Sequence, residues 1–367
     1  MRILHLPVNM GSQMSITVRG LREIGVDARG LVRNNTLFQD AEGLETFVLE
    51  SLTKHPIRGR AQRLSWWCAV LKAIRWADVI HWHCKSRALP ASLDLKYIAH
   101  LNMPRLVEFW GTDIRIPEIA SADNPYIAEM YAKDPVKAEK VARRSRRVQE
   151  RFARHGFRCV IPSPEMEPYV FDDLFPDTYK SVARIIVSDF DPTYPDPQNE
   201  RPLVVHSPSN KGYKGTEAIV AAVEQLKGEI DFEFRLVHGM KRSQALKIVR
   251  DCDVLINEVI SGDHGVASME AMALGKPTVS YIKPLVRSRR PPELPIVSAT
   301  KETIRDVLKN LLTDGPRRHE IGRRSREYVE RYHDAPKVAK DLVRIYEELI
   351  EETRRTNGGG GQGAEPS

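Results

Sequence analysis

The residue types best suited to chemistry lie in residues 262–277, which read GDHGVASMEAMALGKP. Their spacing predicts a loop that opens a short helix, which ends at Gly275 because a glycine followed closely by a proline terminates helices. The free backbone N–H groups at such a helix start attract phosphate, and Gly265 lets a phosphate approach closely. Glu270, one turn inside the helix, could accept hydrogen bonds from sugar hydroxyls. The alternative is an ordinary strand–loop–helix connection in which Glu270 only favours the helix start.

A second polar segment, residues 204–216, reads VVHSPSNKGYKGT and carries two lysines, Lys211 and Lys214. It predicts a strand, a glycine-containing loop and a helix with Thr216 as its N-cap. If both segments follow strands of one parallel sheet, their loops meet at the carboxyl edge of that sheet. A lysine and a helix N-terminus that face one crevice favour a pyrophosphate ligand, which neither feature alone would indicate.

Two polar side chains of the N-terminal half also follow predicted strands, and we assign catalytic roles to both. His83 ends a strand over residues 79–83, and Asp113 comes just after a strand over residues 105–109. Strand ends are the usual place for site residues in parallel sheets. Two simpler interpretations remain open, in which His83 alternates within a buried strand and Asp113 caps a helix.

Residues 137–152 predict a basic helix with an apolar stripe of Val141, Val148 and Phe152. We expect this stripe to face the protein core. A helix lying on a membrane surface is the alternative, which leaves peripheral membrane contact open. The same half of the chain carries further residues that would suit such a surface: Arg58, Arg60, Arg63, Trp66 and Trp67.

Short apolar runs alternate with helical segments, which predicts an α/β protein with parallel sheets. Residues 189–199 interrupt the alternation with three prolines and three aspartates and therefore predict an interdomain linker. The glycine-rich residues 357–367 predict a disordered tail. The predicted strands are residues 2–6, 79–83, 105–109, 203–207, 233–237, 254–257 and 278–282, and the predicted helices are residues 14–24, 216–226, 243–251 and 267–274.

The composition is that of a globular protein, and 367 residues favour two domains. The net charge of +7 suits an anionic partner, but the basic residues lack a recognition motif for nucleic acid. We find no apolar run of about 20 residues and no signal peptide, so we expect a cytoplasmic protein. Four cysteines without disulfide or metal spacing agree with a reducing compartment: Cys68, Cys84, Cys159 and Cys252.

The two segments resemble the donor-binding half of retaining glycosyltransferases of the GT-B fold, family 4. The resemblance covers about residues 1–350. ADVIHWH (77–83) looks like the family's strand ending in histidine, FWGTD (109–113) like its H-G-x-D loop, and NMGS (9–12) like its N-terminal glycine loop. The resemblance implies two Rossmann-like domains, residues 1–188 and 201–330, whose parallel sheets face each other across a crevice. It also implies a C-terminal helix, residues 331–354, that crosses back to the first domain.

The resemblance implies a donor site residue by residue. Glu270 matches the glutamate that holds the nucleotide ribose, and Lys214 matches the lysine that neutralises the donor pyrophosphate. Gly265 and Val266 match backbone donors to the phosphates, and Gly11 lies in the glycine loop. We therefore expect a sugar to move, with retention, from a nucleotide-diphosphate sugar to an unknown acceptor. We assign no D-x-D pair to a metal ion and expect a reaction that needs neither a metal nor a cofactor.

Three positions depart from the family pattern. Gly262 stands where the family has its first glutamate, Ser209 lies in the region of an expected arginine, and Trp110 replaces the histidine of the H-G-x-D loop. Some members resemble this chain in lacking that first glutamate, so loss of activity does not follow. We assign Ser209 and His264 to donor binding and Asp263 to catalysis. Asp263 and His264 are the nearest substitutes for the missing glutamate.

Two other functions fit the same fold. A non-hydrolysing nucleotide-sugar epimerase also has two Rossmann-like domains and would act on the donor without an acceptor. Alternatively, the chain is a non-catalytic relative that binds sugar nucleotides, which would explain why the arginine and the first glutamate of the family are missing.

Overall fold

Two parallel sheets organise the chain in the computed structural model, which describes residues 1–34 and 39–358. The strands of this part are β1 (Arg2–Leu6), β2 (Asp27–Arg33), β3 (Leu44–Phe47), β4 (Val79–His83), β5 (Arg105–Glu108), β6 (Arg158–Ile161), β7 (Thr178–Lys180), β8 (Leu203–His206), β9 (Glu233–Leu236), β10 (Val254–Glu258) and β11 (Thr278–Ser280). The first sheet has the order β3-β2-β1-β4-β5-β6-β7 and the second the order β11-β10-β8-β9.

Helices cover both faces of the sheets, as parallel sheets require. The first domain contains α1 (Gln13–Glu23), α2 (Pro56–Trp76), α3 (Leu93–His100), α4 (Gly111–Ile114), α5 (Pro117–Ala122), α6 (Pro125–Ala132) and α7 (Pro135–Arg154). The second contains α8 (Lys211–Lys214), α9 (Thr216–Leu226), α10 (Arg242–Asp251), α11 (Val266–Ala273), α12 (Pro284–Arg289), α13 (Ile304–Leu312) and α14 (Gly315–Tyr332), and α15 (Ala335–Gly358) follows.

The side chains of the first sheet divide by strand alternation into two cores. Leu4 of β1 packs in a cluster with Trp66 of α2 and Phe152 of α7. Ile3, which points to the opposite face, packs in a cluster with Leu342 of α15. The strands are therefore buried on both faces, which is why they read as apolar runs rather than as alternating ones.

The helix α15 follows the second domain and lies on the first sheet. Leu342 and Tyr346 are fully buried there, in the cluster that contains Ile3. The N-terminal end of α15 crosses α1 closely, because a Cβ atom added at Gly20 would lie 2.8 Å from the backbone carbonyl carbon of Ala335. Only glycine permits this approach.

The predicted elements agree with the structure to within one or two residues, except that the C-terminal helix predicted over residues 331–354 lies at Ala335–Gly358; four strands and several helices are added. The strands β2, β3, β6 and β7 and the long helix α2 were not predicted. Val148 and Phe152 of the basic helix α7 are buried, so that part of its stripe faces the core. Asn357 and Gly358 belong to α15, which corrects the boundary of the predicted tail, and residues 359–367 lie outside the described residues.

Candidate functional site

A cavity of about 560 Å³ lies at the carboxyl edge of the second sheet, where loops from both domains meet. The second domain contributes the segments after β8, β9 and β10, and the first contributes the loops after β1 and β2. Six of the predicted donor-binding residues line it: Gly11, Ser209, Lys214, Gly265, Val266 and Glu270.

Lys214 supplies the positive charge of the cavity. It ends the short helix α8, whose N-cap Asn210 accepts a hydrogen bond from the backbone N–H of Tyr213 at 2.9 Å. The Lys214 Nζ donates to Asn257 Oδ1 at 3.1 Å. Burial lowers the pKa of Lys214, although Glu258 opposes this shift. The ammonium group is therefore held in place by a neutral side chain and keeps donors for a further acceptor.

The N-terminus of α11 lies beside this ammonium group. A Cβ atom added at Gly265 would be 4.0 Å from Lys214 Nζ. The Ser268 N–H donates to Gly265 O at 3.0 Å and is therefore used within the helix. The backbone N–H groups at the start of α11 that can bind a phosphate are thus those of Gly265, Val266 and Ala267. Gly11 faces them from the first domain, because a Cβ atom there would be 3.6 Å from Val266 Cγ2.

Glu270 pairs with an arginine that the sequence analysis missed. The Arg242 Nε donates to Glu270 Oε1 at 2.8 Å, and its Nη2 lies 2.7 Å from the same oxygen. Burial raises the pKa of Glu270, and the charge of Arg242 opposes that shift. Arg242 is the first residue of α10, so it too follows the carboxyl end of a strand, β9. The strand-end rule would have identified it had it been applied to β9.

The other end of the cavity is apolar. Its wall combines side chains from the end of β9, from α10 and from β10: Val237, Ala245, Leu246, Val249 and Leu255. The neighbouring His238 Nδ1 is 2.8 Å from Pro208 O, which ties the loop after β9 to the loop after β8. A flat apolar group could pack here while its charged substituents reach Lys214.

A turn explains the glycine at the position of the missing glutamate. Gly262 has φ +95°, which strains any residue with a side chain. Glu258 accepts hydrogen bonds from the backbone N–H groups of Ile260 at 2.9 Å, of Ser261, and of Gly262 at 3.2 Å. Glu258 therefore holds the loop that precedes α11. A carboxylate does lie at this turn, but it comes from the end of β10 and not from position 262.

Asp263 and His264 do not line the cavity. Asp263 Oδ2 accepts from Arg290 Nη2 at 2.8 Å and from the Ser163 hydroxyl of the first domain at 2.5 Å. Burial alone would raise the pKa of Asp263, but Arg290 keeps it below its ordinary value. His264 is buried against His333 with ring centroids 5.5 Å apart, and burial lowers its pKa to about 3. Asp263 thus fastens the two domains together, and His264 is a neutral side chain beneath the loop.

His83 lies in a buried histidine cluster on the first sheet. Its Nε2 is 2.9 Å from His5 Nδ1, and its Nδ1 is 3.1 Å from Glu108 Oε2. His81 stacks on it with ring centroids 4.6 Å apart. Burial lowers the pKa of all three histidines. The ligand atoms of the three rings are spaced closely enough to hold a metal ion, and His83 also contacts Glu108, whose other oxygen binds Arg184.

Asp113 caps the start of α4, as the simpler interpretation predicts. Its Oδ2 accepts from the Trp110 backbone N–H at 3.3 Å, and its Oδ1 lies 3.3 Å from Lys85 Nζ. Asp113 is 1% exposed and His83 is equally buried. The structure therefore brings the predicted donor-binding residues together, with the exception of His264, but does not bring His83, Asp113 or Asp263 to the same cavity.

Two D-x-D sequences occur in the chain, at residues 189–191 and 251–253, and both lie away from the cavity. Asp189 pairs with Arg19 at 2.7 Å. Asp253 accepts hydrogen bonds from Asn199 at 2.9 Å and from the Leu203 backbone N–H at 2.8 Å. These partners give both aspartates structural roles.

The cavity can hold an elongated ligand with a flat apolar end, a hydroxylated middle and an anionic end. Val249 and Leu246 can pack on the flat apolar end, and Glu270 can accept hydrogen bonds from the hydroxyl groups of the middle. Lys214 and the N-terminus of α11 attract the anionic end. These three chemistries occur in this order in a nucleoside diphosphate.

Comparison with known proteins identifies the fold through structure alone. No known protein-family model and no curated protein sequence match the chain. It is similar to the structure of sucrose-phosphate synthase from Thermosynechococcus elongatus, with a TM-score of 0.66 at 14% identity over 96% of this chain and 100% of that one. A glycosyltransferase from Rickettsia africae gives a TM-score of 0.62 at 14% identity over 95% and 98% of the two chains. Anabaena HepE in complex with UDP gives 0.56 at 14% identity over 95% and 100%. The chain therefore has the GT-B fold, with two Rossmann-like domains facing each other across a crevice.

Proposed function

We propose that the protein is a glycosyltransferase that takes a sugar from a nucleotide-diphosphate sugar. The observation that carries the proposal is the cavity in which Lys214, the N-terminus of α11, Glu270 and an apolar wall converge. The base would pack on the apolar wall, the ribose hydroxyls would bind Glu270, and the pyrophosphate would lie between Lys214 and Gly265. Negative charge grows on the diphosphate as the sugar departs, and these fixed positive groups would stabilise it.

The finer assignments follow from the resemblance to family 4. We propose that the anomeric configuration is retained and that Lys214 and the N-terminus of α11 supply the positive charge without a divalent ion. His83 and Asp113 stay predictions, because catalysis through either buried side chain requires the crevice to open. Asp263 would act by positioning the second domain, since its oxygens are already bound by Arg290 and Ser163.

Binding and transfer test the function separately. UDP is the first nucleotide to try, because Anabaena HepE was solved with UDP and with UDP-glucose. A panel of nucleotide sugars should contain one that raises the melting temperature by several degrees. Transfer to an acceptor, followed by NMR of the anomeric proton in EDTA, would then test retention and metal independence. Turnover of the donor without any acceptor would instead indicate an epimerase, and binding without turnover a non-catalytic relative.

We also propose that the first domain makes peripheral contact with the inner face of a membrane. No helix in residues 1–34 and 39–358 is long and apolar enough to cross a bilayer. On α2, however, Ile57, Leu64 and Leu71 recur every seven residues on one face and are 82%, 57% and 37% exposed. Exposed Arg60 and Lys72 accompany them. Such a face suits an anionic bilayer surface.

Vesicle sedimentation tests this contact. Leu64→Asp should reduce binding to phosphatidylglycerol vesicles by roughly tenfold, because each variant chain loses apolar insertion and gains a repelled charge. Val136→Asp is the matched control, since Val136 is a 78% exposed apolar residue of α7 in the same domain. Equal binding by both variants would contradict the contact.

A further inference from the structure

A second cavity, of about 410 Å³, lies wholly in the first domain, between α2, the end of β2 and the segment that follows β4. No residue of the proposed donor site lines it. We call it the basic cavity, because five cationic side chains surround it: Arg33, Arg63, Lys85, Arg87 and Arg151.

Carboxylates do not balance this charge. In residues 1–34 and 39–358, only Lys85 of the five forms an ion pair, with Asp113 at 3.3 Å. Arg63 and Arg151 donate to backbone carbonyls, which fixes them without neutralising them. The buried Asp94 lies close enough to act on Arg33 and Arg151, but its oxygens accept three backbone N–H groups of its own segment. The cavity therefore keeps an excess of positive charge.

This excess is unfavourable until an anion binds. Burial lowers the pKa of Arg33, Asp94 partly opposes this shift, and repulsion from Arg63 and Arg87 adds to it. Burial and Arg87 lower the pKa of Arg151 in the same way, against smaller opposing effects of Asp94 and Asp113. Four guanidinium groups facing one space repel one another, and an oxyanion that accepts their paired N–H groups would remove that repulsion.

The other side of the basic cavity is aromatic and apolar. Trp66 is fully buried, and its Nε1 donates to Ala88 O at 2.8 Å, which joins α2 to the segment after β4. Trp67, Leu49 and Pro90 complete this side. The basic cavity thus combines a binding site for an anionic group with a surface on which the uncharged part of the same ligand can pack.

We propose that the basic cavity binds the phosphate group of a phosphorylated acceptor. Its charge matches a phosphate monoester or diphosphate better than a single carboxylate, because four guanidinium groups contribute. Through Lys85 the cavity adjoins Asp113 of α4, the short helix that follows β5, on the crevice side of the first sheet. The sugar phosphate of a soluble acceptor and the head group of a lipid-linked acceptor share this chemistry.

The assignment to an acceptor rests on the proposed function, but phosphate binding does not. Calorimetry with glucose 6-phosphate measures the basic cavity, and calorimetry with UDP measures the donor cavity. If neither UDP nor any other nucleoside diphosphate binds, the proposed function is overturned and the phosphate site still stands. If a nucleoside diphosphate binds and glucose 6-phosphate does not bind, the proposed function stands and a soluble sugar phosphate is not the ligand of the basic cavity.

The test uses the full chain with two cavity variants, Arg33→Gln and Arg87→Gln. Each should weaken glucose 6-phosphate binding by roughly ten- to a hundredfold and leave UDP binding unchanged. If glucose 6-phosphate does not bind, sedimentation with phosphatidic acid vesicles must show the same dependence on Arg87, which would identify a lipid source. Arg143→Gln on α7 is the control, because that arginine is 63% exposed and pairs with Glu139 outside the cavity.

Three results would overturn the proposal. The first is that binding of neither phosphate probe depends on Arg33 or Arg87. The second is that glucuronate binds as tightly as glucose 6-phosphate, and the third is that the cavity variants lose UDP affinity instead. Because Arg87 is exposed, its substitution leaves the fold intact and keeps the test decisive if Arg33→Gln does not fold.

Discussion

At the scale of single residues, Lys214 joins two sources of positive potential, its own ammonium group and the N-terminus of α11 beside it. Asn257 holds the ammonium group without neutralising it. The sequence lacks the arginine that the resemblance leads one to expect near Ser209. Lys214 must therefore carry a larger share of the attraction for a diphosphate.

We predict that Lys214→Ala lowers affinity for UDP by roughly ten- to a hundredfold, because a hydrogen bond to a charged group contributes about 1.5–3 kcal/mol. Uridine, which has no phosphate, should bind as before. Isothermal titration with both ligands measures the difference. Lys211→Ala is the control on the same short helix, since Lys211 is exposed. If Lys211→Ala does the damage, or if uridine suffers equally, the phosphates do not bind at Lys214.

Glu270 and Arg242 form an ion pair in which the positive charge of Arg242 favours the ionised form of Glu270. Burial disfavours the charge of Glu270, and Arg242 at 2.7 Å compensates for this. A carboxylate kept ionised in a partly buried site makes stronger hydrogen bonds to hydroxyls than an amide does.

We predict that Glu270→Gln weakens UDP binding by about tenfold and leaves binding of inorganic pyrophosphate unchanged, because only the ribose contact is lost. Calorimetry with the two ligands, next to a melting curve of each protein, provides the measurement. A lowered melting temperature with unchanged UDP affinity would make the pair structural. Arg242→Gln should reproduce the loss if the arginine acts through Glu270.

At the scale of elements, α15 supplies one of the two faces of the first domain. Its residues Leu342, Tyr346 and Leu349 lie in the cluster that contains Ile3 and Leu106. The first domain therefore depends for its core on a helix that the chain makes last.

We predict that Leu342→Ala destabilises the protein by roughly 2–5 kcal/mol, because Leu342 is fully buried and its loss leaves a cavity in the sheet-facing core. Arg344→Ala on the same helix should change little, since its side chain is 75% exposed and its ion pair with Asp341 lies on the surface. Urea unfolding midpoints compare the two variants. Similar midpoints would mean that α15 contributes little to the first core.

The sequence predicts the strands that are buried and flanked by clear turns, and misses those that are not. β4 (VIHWH) and β10 (VLINE) each begin with apolar residues directly after an aspartate, and both were predicted with their ends correct to a residue. β2 reads DARGLVR, where a glycine and two arginines obscure the strand pattern. Gln39, which lines the donor cavity, follows β2 and was therefore missed with it.

The site was predictable to the extent that it is local. Lys214, Gly265 and Glu270 lie near strand ends that the pattern reveals, and the structure places them in one cavity. The partners of Asp263 could not be predicted, because Ser163 and Arg290 are 100 and 27 residues away along the chain. The role of Asp263 in joining the domains follows from these partners, which the residue type alone does not indicate.

At the scale of the whole molecule, contacts between the two domains close the crevice along one side. Lys283 pairs with Asp123 at 2.7 Å, and Asn124 donates to Ile260 O at 2.8 Å. Behind them, the crossing segments pair through the Ala335 N–H and Ile185 O at 2.8 Å. A crevice held in this way must release some of these interdomain contacts to admit a ligand, while the crossing segments stay in place.

The stability of this assembly should depend on pH through histidines buried in the neutral form. Burial lowers the pKa of His206 and of His333 to about 4 and that of His264 to about 3, against an ordinary value of 6.5. Below pH 6.5 these histidines therefore bind protons in the unfolded chain, whereas in the folded chain they stay neutral until about pH 4. Folding stability is fully present above pH 6.5 and is lost as the pH falls from 6.5 towards 4.

We predict that each of these histidines costs roughly 2 kcal/mol of stability at pH 5 relative to pH 7, from about 1.4 kcal/mol per pKa unit. His333→Gln keeps a side-chain donor for the Ala183 carbonyl, which His333 Nδ1 contacts at 2.6 Å, but removes the titration. Its urea midpoint should therefore fall less between pH 7 and pH 5 than that of the unaltered protein, even if it is lower at pH 7. The exposed His100 provides the control, and His100→Gln should leave the pH dependence as it was. An unaltered protein equally stable at both pH values would mean that these rings are already protonated, or open to water, in the folded chain.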